Sequence, residues 1–193
     1  MGFIMPSCLK HKRLGIITLL FSLSSQQVCS AEFAASIPHV NITLQGSNHE
    51  LNADIVYRLS PIAKEALENG IPLNWSVHIK IQQAGIFYDT TITESILSYQ
   101  MQNHALLNLY SVEQAEPSSK NMFSSLTAAL NYMSTLRNFH LIDQRLLQSG
   151  IKYLVAIRIQ FNRETLPTPL RPMSYFNPQW ALSSPWTLWQ LQN

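Results

Sequence analysis

Charge is scarce in this chain. Lys, Arg, Asp and Glu together make up only 12% of its 193 residues, so Asn, Gln, Ser and Thr must supply much of the solvated surface. Cysteine is scarcer still, with Cys8 and Cys29 the only two. Both precede Glu32, and the rest of the chain can form neither a disulfide nor a thiol nucleophile. The six glycines include no phosphate-loop spacing, which leaves no nucleotide-binding motif. His39, His49, His78, His104 and His140 are scattered without HxH, HxxxH or HExxH spacing, so no metal site is expected, and no cofactor. No GxSxG setting surrounds any serine. The acid–base candidates reduce to His104 with Asp89 upstream. No catalytic residue is assigned, and the chain reads as a non-enzyme.

The apolar run Leu14–Leu23 is too short to span a bilayer, which takes about 20 residues. It follows the basic cluster Lys10, His11, Lys12 and Arg13 and precedes the small-residue stretch Val28–Ala31. That layout is a secretory signal, cleaved after Ala31, with residues 32–193 forming one domain. The alternative is a retained anchor. Of the 13 lysines and arginines, Lys10, Lys12 and Arg13 lie in the signal, leaving ten against 11 acidic residues and a net charge of −1. The basic balance of the whole chain therefore belongs to the signal, and nucleic acid is not an expected partner. With the signal removed, no integral membrane span is expected.

Alternation of apolar and polar residues marks strands at Ile37–Gln45, Leu51–Tyr57, Pro72–Gln83, Thr91–Met101, Ala105–Val112 and Ile151–Phe161. Turn chemistry at Gly46-Ser47-Asn48 joins the first two as a hairpin. In the third, Leu73, Trp75, Val77, Ile79 and Ile81 share a face. Ser60-Pro61 starts a helix that Asn69-Gly70 ends. Ser124 or Ser125 caps a second, with Phe123, Leu126, Leu130, Met133 and Leu136 at helical spacing. A shorter turn follows through Ile142–Leu147. Gln102-Asn103 reads as a turn, Glu113–Asn121 as a polar loop, and His49-Glu50 as part of a turn. The expected fold is mainly β: a two-layer antiparallel sandwich, of which the immunoglobulin-like arrangement is one form, with two helices in the connections. The alternative is an α+β layer with both helices on a single sheet.

The stretch Leu166–Trp189 carries five of the ten prolines and three of the four tryptophans. No regular element is expected between Asn162 and Ser184, and so long a loop in a compact domain is either docked or functional. Its aromatic groups, Tyr175, Phe176, Trp180, Trp186 and Trp189, must be largely buried to offset the entropy of ordering it. It reads as a clasp across the domain, or as an exposed aromatic surface for a partner. Arg171, read as extended, is expected to tie loop carbonyls or a carboxylate such as Asp143 or Glu164, or else to receive an anionic group from a ligand.

The segments ALENGIPL (Ala66–Leu73), NHALLNLY (Asn103–Tyr110), SLTAALNYMSTLR (Ser125–Arg137) and LPTPLRPMSYFNPQWALSSPWTLW, following the signal in that order, resemble the family called domain of unknown function 4390. Two stretches depart from the family pattern. Gln82–Tyr88 lacks its arginine and tryptophan, and Tyr99–Asn103 lacks its basic residues. The resemblance implies an exported, periplasmic envelope protein of Gram-negative bacteria without established activity, substrate or cofactor. It also implies genes that neighbour a membrane sensor kinase of the two-component type. The partner is then an unknown envelope protein, and the alternatives are an accessory sensor for such a kinase or an enzyme of unrecognised type. The signal reading has a direct check: N-terminal sequencing of the exported protein should start at Glu32. A start at Met1 in a membrane fraction would establish the retained anchor instead.

Overall fold

The computed structural model describes residues 33–85 and 88–191; the expected signal, residues 1–31, lies outside them. Among the described residues, nine strands form two antiparallel sheets packed face to face. Strands β1 (Ser36–Gln45) and β2 (Asn48–Val56) form the expected hairpin, whose turn places Gly46 at φ +64°. Along β2 the side chains of His49, Leu51, Ala53 and Ile55 are buried in alternation. His49 and Glu50 are thus strand residues and not part of the turn.

Helix α1 (Pro61–Glu68) follows its sequence signals closely. Ser60 Oγ accepts from Ala63 N at 3.1 Å, and proline occupies the first turn. At the other end Ile71 N donates to Ala66 O and Gly70 N to Leu67 O, with Gly70 at φ +79°. This pair of bonds is the left-handed glycine closure that satisfies the last carbonyls.

Strand β3 (Leu73–Gln83) lies inside the larger sheet, between β4 (Thr90–His104) and β8 (Tyr153–Phe161). Beyond β4 come β5 (Leu109–Gln114) and β6 (Ser119–Phe123), and beyond β8 comes β9 (Thr187–Leu191). Gln102 and Asn103 continue β4, and the turn falls at residues 105–108, where Asn108 takes φ +50° and Leu106 is fully exposed. Two leucines in a tight turn mislead any reading based on apolar periodicity. The expected polar loop Glu113–Asn121 is shorter than the sequence suggested, because Lys120 and Asn121 pair with Glu113 and Val112 as part of β6.

Helix α2 (Leu126–Met133) is capped by Ser125, whose Oγ accepts from Ala128 N at 3.2 Å. It stops short of Leu136. Ser134 Oγ donates back to Leu130 O, while Ile55 N donates to Ser134 O, and the chain leaves as strand β7 (Thr135–Asp143) against β2. That strand escapes periodicity because its register shifts twice against β2 and Asn138 lies at φ +50°. The expected turn through Ile142–Leu147 narrows to one 3-10 turn at Gln144–Leu146.

Sheet orders β1-β2-β7 and β6-β5-β4-β3-β8-β9 have immunoglobulin-like connectivity. The first, second and seventh strands form one layer, and the third, eighth and ninth meet in the other. Two further marks agree. Trp75 on β3 is buried against the inter-sheet core, and Tyr153 at the start of β8 accepts from Gln148 N at 3.0 Å through its hydroxyl, as a tyrosine corner. The single-sheet α+β alternative does not describe the molecule.

The core holds an aromatic file. Tyr57 meets Trp75 edge-on at 5.7 Å, Trp75 meets Phe161 at 5.3 Å, and Phe161 stacks on Trp180 at 5.8 Å. Burial pushes the Tyr57 phenol well above its ordinary value, with neighbouring Tyr99 adding to the shift. In the other sheet His49 is 1% exposed, its Nε2 has no partner, and burial lowers its pKa below 6.5. The native state then holds a neutral imidazole while the unfolded chain binds a proton below about pH 6.5. Stability from this group is complete above that pH and falls as the pH drops towards the lowered native value. Urea midpoints between pH 7 and pH 5 should therefore decline less steeply for His49→Gln than for the parent; equal slopes would remove His49 as a source of acid sensitivity.

Candidate binding groove

The C-terminal stretch does contain regular structure. Helix α3 (Leu170–Phe176) lies between 3-10 turns at Arg163–Thr165 and Pro178–Trp180. Pro172 fits the first turn of α3, where its missing N–H leaves no helical bond unmade. Arg171 is therefore helical. Its Nε and Nη2 donate to Leu166 O at 3.3 and 3.1 Å, which is the carbonyl tie and involves neither Asp143 nor Glu164.

Serines then fasten the chain to the outer edge of β8. Ser183 Oγ accepts from Phe161 N at 2.9 Å, and Ser184 Oγ accepts from Ile159 N at 2.8 Å. Ser184 N donates to Ile159 O, Thr187 Oγ1 donates to Ile157 O, and β9 pairs with Tyr153–Ile157. An edge that would offer free backbone donors is covered along its length.

The five aromatics separate. Trp180 is 2% exposed at the end of the aromatic file, and Trp189 is half-buried against the core. Tyr175, Phe176 and Trp186 remain exposed, at 53%, 88% and 40%. Trp186 sits over the wet face of the larger sheet, with Lys80 Nζ 5.1 Å and the Arg158 guanidinium 5.9 Å from its ring, and His78 edge-on at 6.3 Å. His78 and Lys80 both reach Glu94 at 3.4 Å.

Beside Trp186 lies an open groove of about 700 Å3. Arg158, Gln160 and Asn162 of β8 and the residues after it line one side, and Arg163, Glu164 and Thr165 continue the wall. Tyr175, Ala181 and Ser183 complete it from the C-terminal stretch. Part of the wall is bonded internally. Asn162 Nδ2 donates to Ser76 Oγ, Asn74 Nδ2 to Thr165 Oγ1, and Thr165 Oγ1 to Asn162 O. Arg163 donates from Nε and Nη2 to Trp180 O and lies 5.5 Å over the Tyr175 ring. The side chains of Arg158, Gln160 and Glu164 carry no hydrogen bond or ion pair to another described residue, and Arg158 Nε is buried without a partner.

Of the candidate surface residues, Tyr175 lines this groove and Trp186 lies next to its Arg158 wall, while Arg171, Trp180 and Trp189 hold the segment in place. Arg158 and Arg163 were not singled out by sequence reasoning. The available signal was an arginine between the buried Ile157 and Ile159, with no acidic residue near it in sequence. Asp89 and His104 do not meet: they stand at opposite ends of β4, with Asp89 Oδ1 accepting from Gly85 N and His104 Nε2 2.9 Å from Ser111 Oγ. Ser111 is itself 2% exposed. Among the described residues no group of three or more His, Cys, Asp or Glu is placed to hold a metal ion, and no helix is long and apolar enough to cross a membrane.

Strand order, core tryptophan and tyrosine corner define the class as an immunoglobulin-like β-sandwich. Within it, the family model for the domain of unknown function DUF4390 matches residues 33–190. The chain belongs to that family. No curated protein and no solved structure matches it.

The two kinds of tryptophan should separate in stability measurements. Trp180→Ala removes a buried stack and is expected to cost about 3–5 kcal/mol, whereas Trp186→Ala, losing a half-exposed cation–π contact, is expected to cost about 1 kcal/mol or less. Urea unfolding of the two variants checks this, and equal losses would contradict the division into anchor and exposed surface.

Proposed function

We propose that this chain is an exported, non-catalytic envelope protein that docks a partner polypeptide on its C-terminal aromatic face. One observation carries the reading: a single segment buries Trp180 as an anchor yet leaves Tyr175, Phe176 and Trp186 exposed, with Tyr175 lining a groove that contains Arg158 and Arg163 and Trp186 next to Arg158. Large rigid aromatics and arginine are the residues that dominate binding energy at protein interfaces. The serine and strand bonds to β8 hold them in place beforehand, so less order has to be gained on docking. Export rests on the basic, apolar and small-residue layout of residues 10–31. The absence of catalytic spacing in the sequence and the burial of Ser111 support a role without chemistry.

A photo-crosslinking residue placed at Phe176 in living cells should capture a discrete envelope protein, while the same residue at Leu106, in the β4–β5 turn, should not. Trp186→Ala should reduce the capture while costing no more than about 1 kcal/mol of stability. Equal capture from both positions, or none from Phe176, would sink this reading.

A further inference from the structure

We propose that the Arg158 groove receives a carboxylate presented by an acidic segment of a partner polypeptide. The inference rests on the docking role and specifies the chemistry that the partner brings.

Arg158 is the starting point. It sits half-buried on the wet face of β8, flanked in the chain by the buried Ile157 and Ile159, and no described carboxylate pairs with it. Its Nε is shielded from water and unpartnered. The Arg58 and Arg145 side chains also carry no hydrogen bond or ion pair to another described residue, but both are exposed to solvent. A partly desolvated guanidinium without an anion gains more from a carboxylate than a solvated one does, because its competing hydration is already reduced.

The second arginine is held for the same purpose. Arg163 is fixed through two bonds to Trp180 O and rests over the Tyr175 ring. Two guanidiniums thus line one groove against a single acid, Glu164, which pairs with neither. Planar guanidinium forks match a carboxylate in two-point geometry.

Size and lining favour a segment over a free ion. A groove of about 700 Å3 is several times larger than a carboxylate and open to solvent. Gln160 presents an unbonded amide beside Arg158, able to both donate to and accept from an extended peptide backbone. Tyr175 and the nearby Trp186 offer apolar surface to the residues that flank the acid.

The test is calorimetric titration of the full chain with capped hexaglutamate, with hexaglutamine, and with citrate. Hexaglutamate should bind and hexaglutamine should not, with affinity falling as salt is raised. Arg158→Gln should weaken binding by about tenfold or more, as expected for loss of a bidentate charged contact. Arg158→Lys should weaken it by less, and Arg58→Gln should leave it unchanged. If Arg158→Gln does not fold, Arg158→Lys against Arg58→Gln carries the comparison. Hexaglutamate binding no better than hexaglutamine, or equal weakening by the Arg58 and Arg158 variants, would overturn the groove. Citrate binding as tightly as the peptide, with the same dependence on Arg158, would overturn the peptide as the source and assign the site to a free acid. Capture at Phe176 that persists when the peptide fails to bind removes this inference alone. Peptide binding without capture removes the docking surface alone.

Discussion

Tyr57, Trp75, Phe161 and Trp180 form the contact chain on which the rest of the molecule depends. In many immunoglobulin-like domains a disulfide between the layers packs on the core tryptophan. Here the residues from Glu32 onward contain no cysteine, and the same tryptophan position is filled by a ring that touches two other aromatics. Each ring belongs to a different part of the chain: Tyr57 follows β2, Trp75 is in β3, Phe161 ends β8, and Trp180 comes from the C-terminal stretch. The file therefore joins both sheets and the last segment through dispersion and edge-to-face geometry, with no covalent link.

That arrangement explains why the C-terminal stretch can display aromatics at all. A segment with three tryptophans and five prolines must bury part of itself or remain unordered. Trp180 supplies the buried part and stacks on Phe161; the two serines and β9 bind the backbone that follows it. Tyr175, Phe176 and Trp186 are then held in place without being needed in the core. Arg163 belongs to both parts, since it bonds to the anchor's carbonyl and lines the groove.

The legible parts of this fold were those with strong local signals. Strand β3 could be read because its alternation runs unbroken from Leu73 to Ile81, and α1 because Ser60, Pro61 and Gly70 mark both ends. Strand β7 was hidden by its bulged register, and the leucines of the 105–108 turn resembled a strand start. The C-terminal stretch reads as unusual, but its helix does not show, because seven residues with a proline at the third position carry no helical periodicity. Tyr175 and Trp186 were legible as candidates from residue type alone. Arg158 and Arg163 were not, because their significance depends on which carboxylates fold elsewhere, and that is set by tertiary pairing.

The position of β3 also has a bearing on the order of assembly. One of its neighbours, β4, follows almost at once, but the other, β8, arrives only after β5, β6, α2 and β7 have been threaded, and Trp180 later still. The interior of the larger sheet thus depends on distant pairings whose loop-closure entropy must be met before they give any return. The first half alone can pair β1 with β2 and β3 with β4 but cannot complete the interior of the larger sheet. Late closure of this kind leaves the aromatic stack incomplete until the last ring, Trp180, arrives.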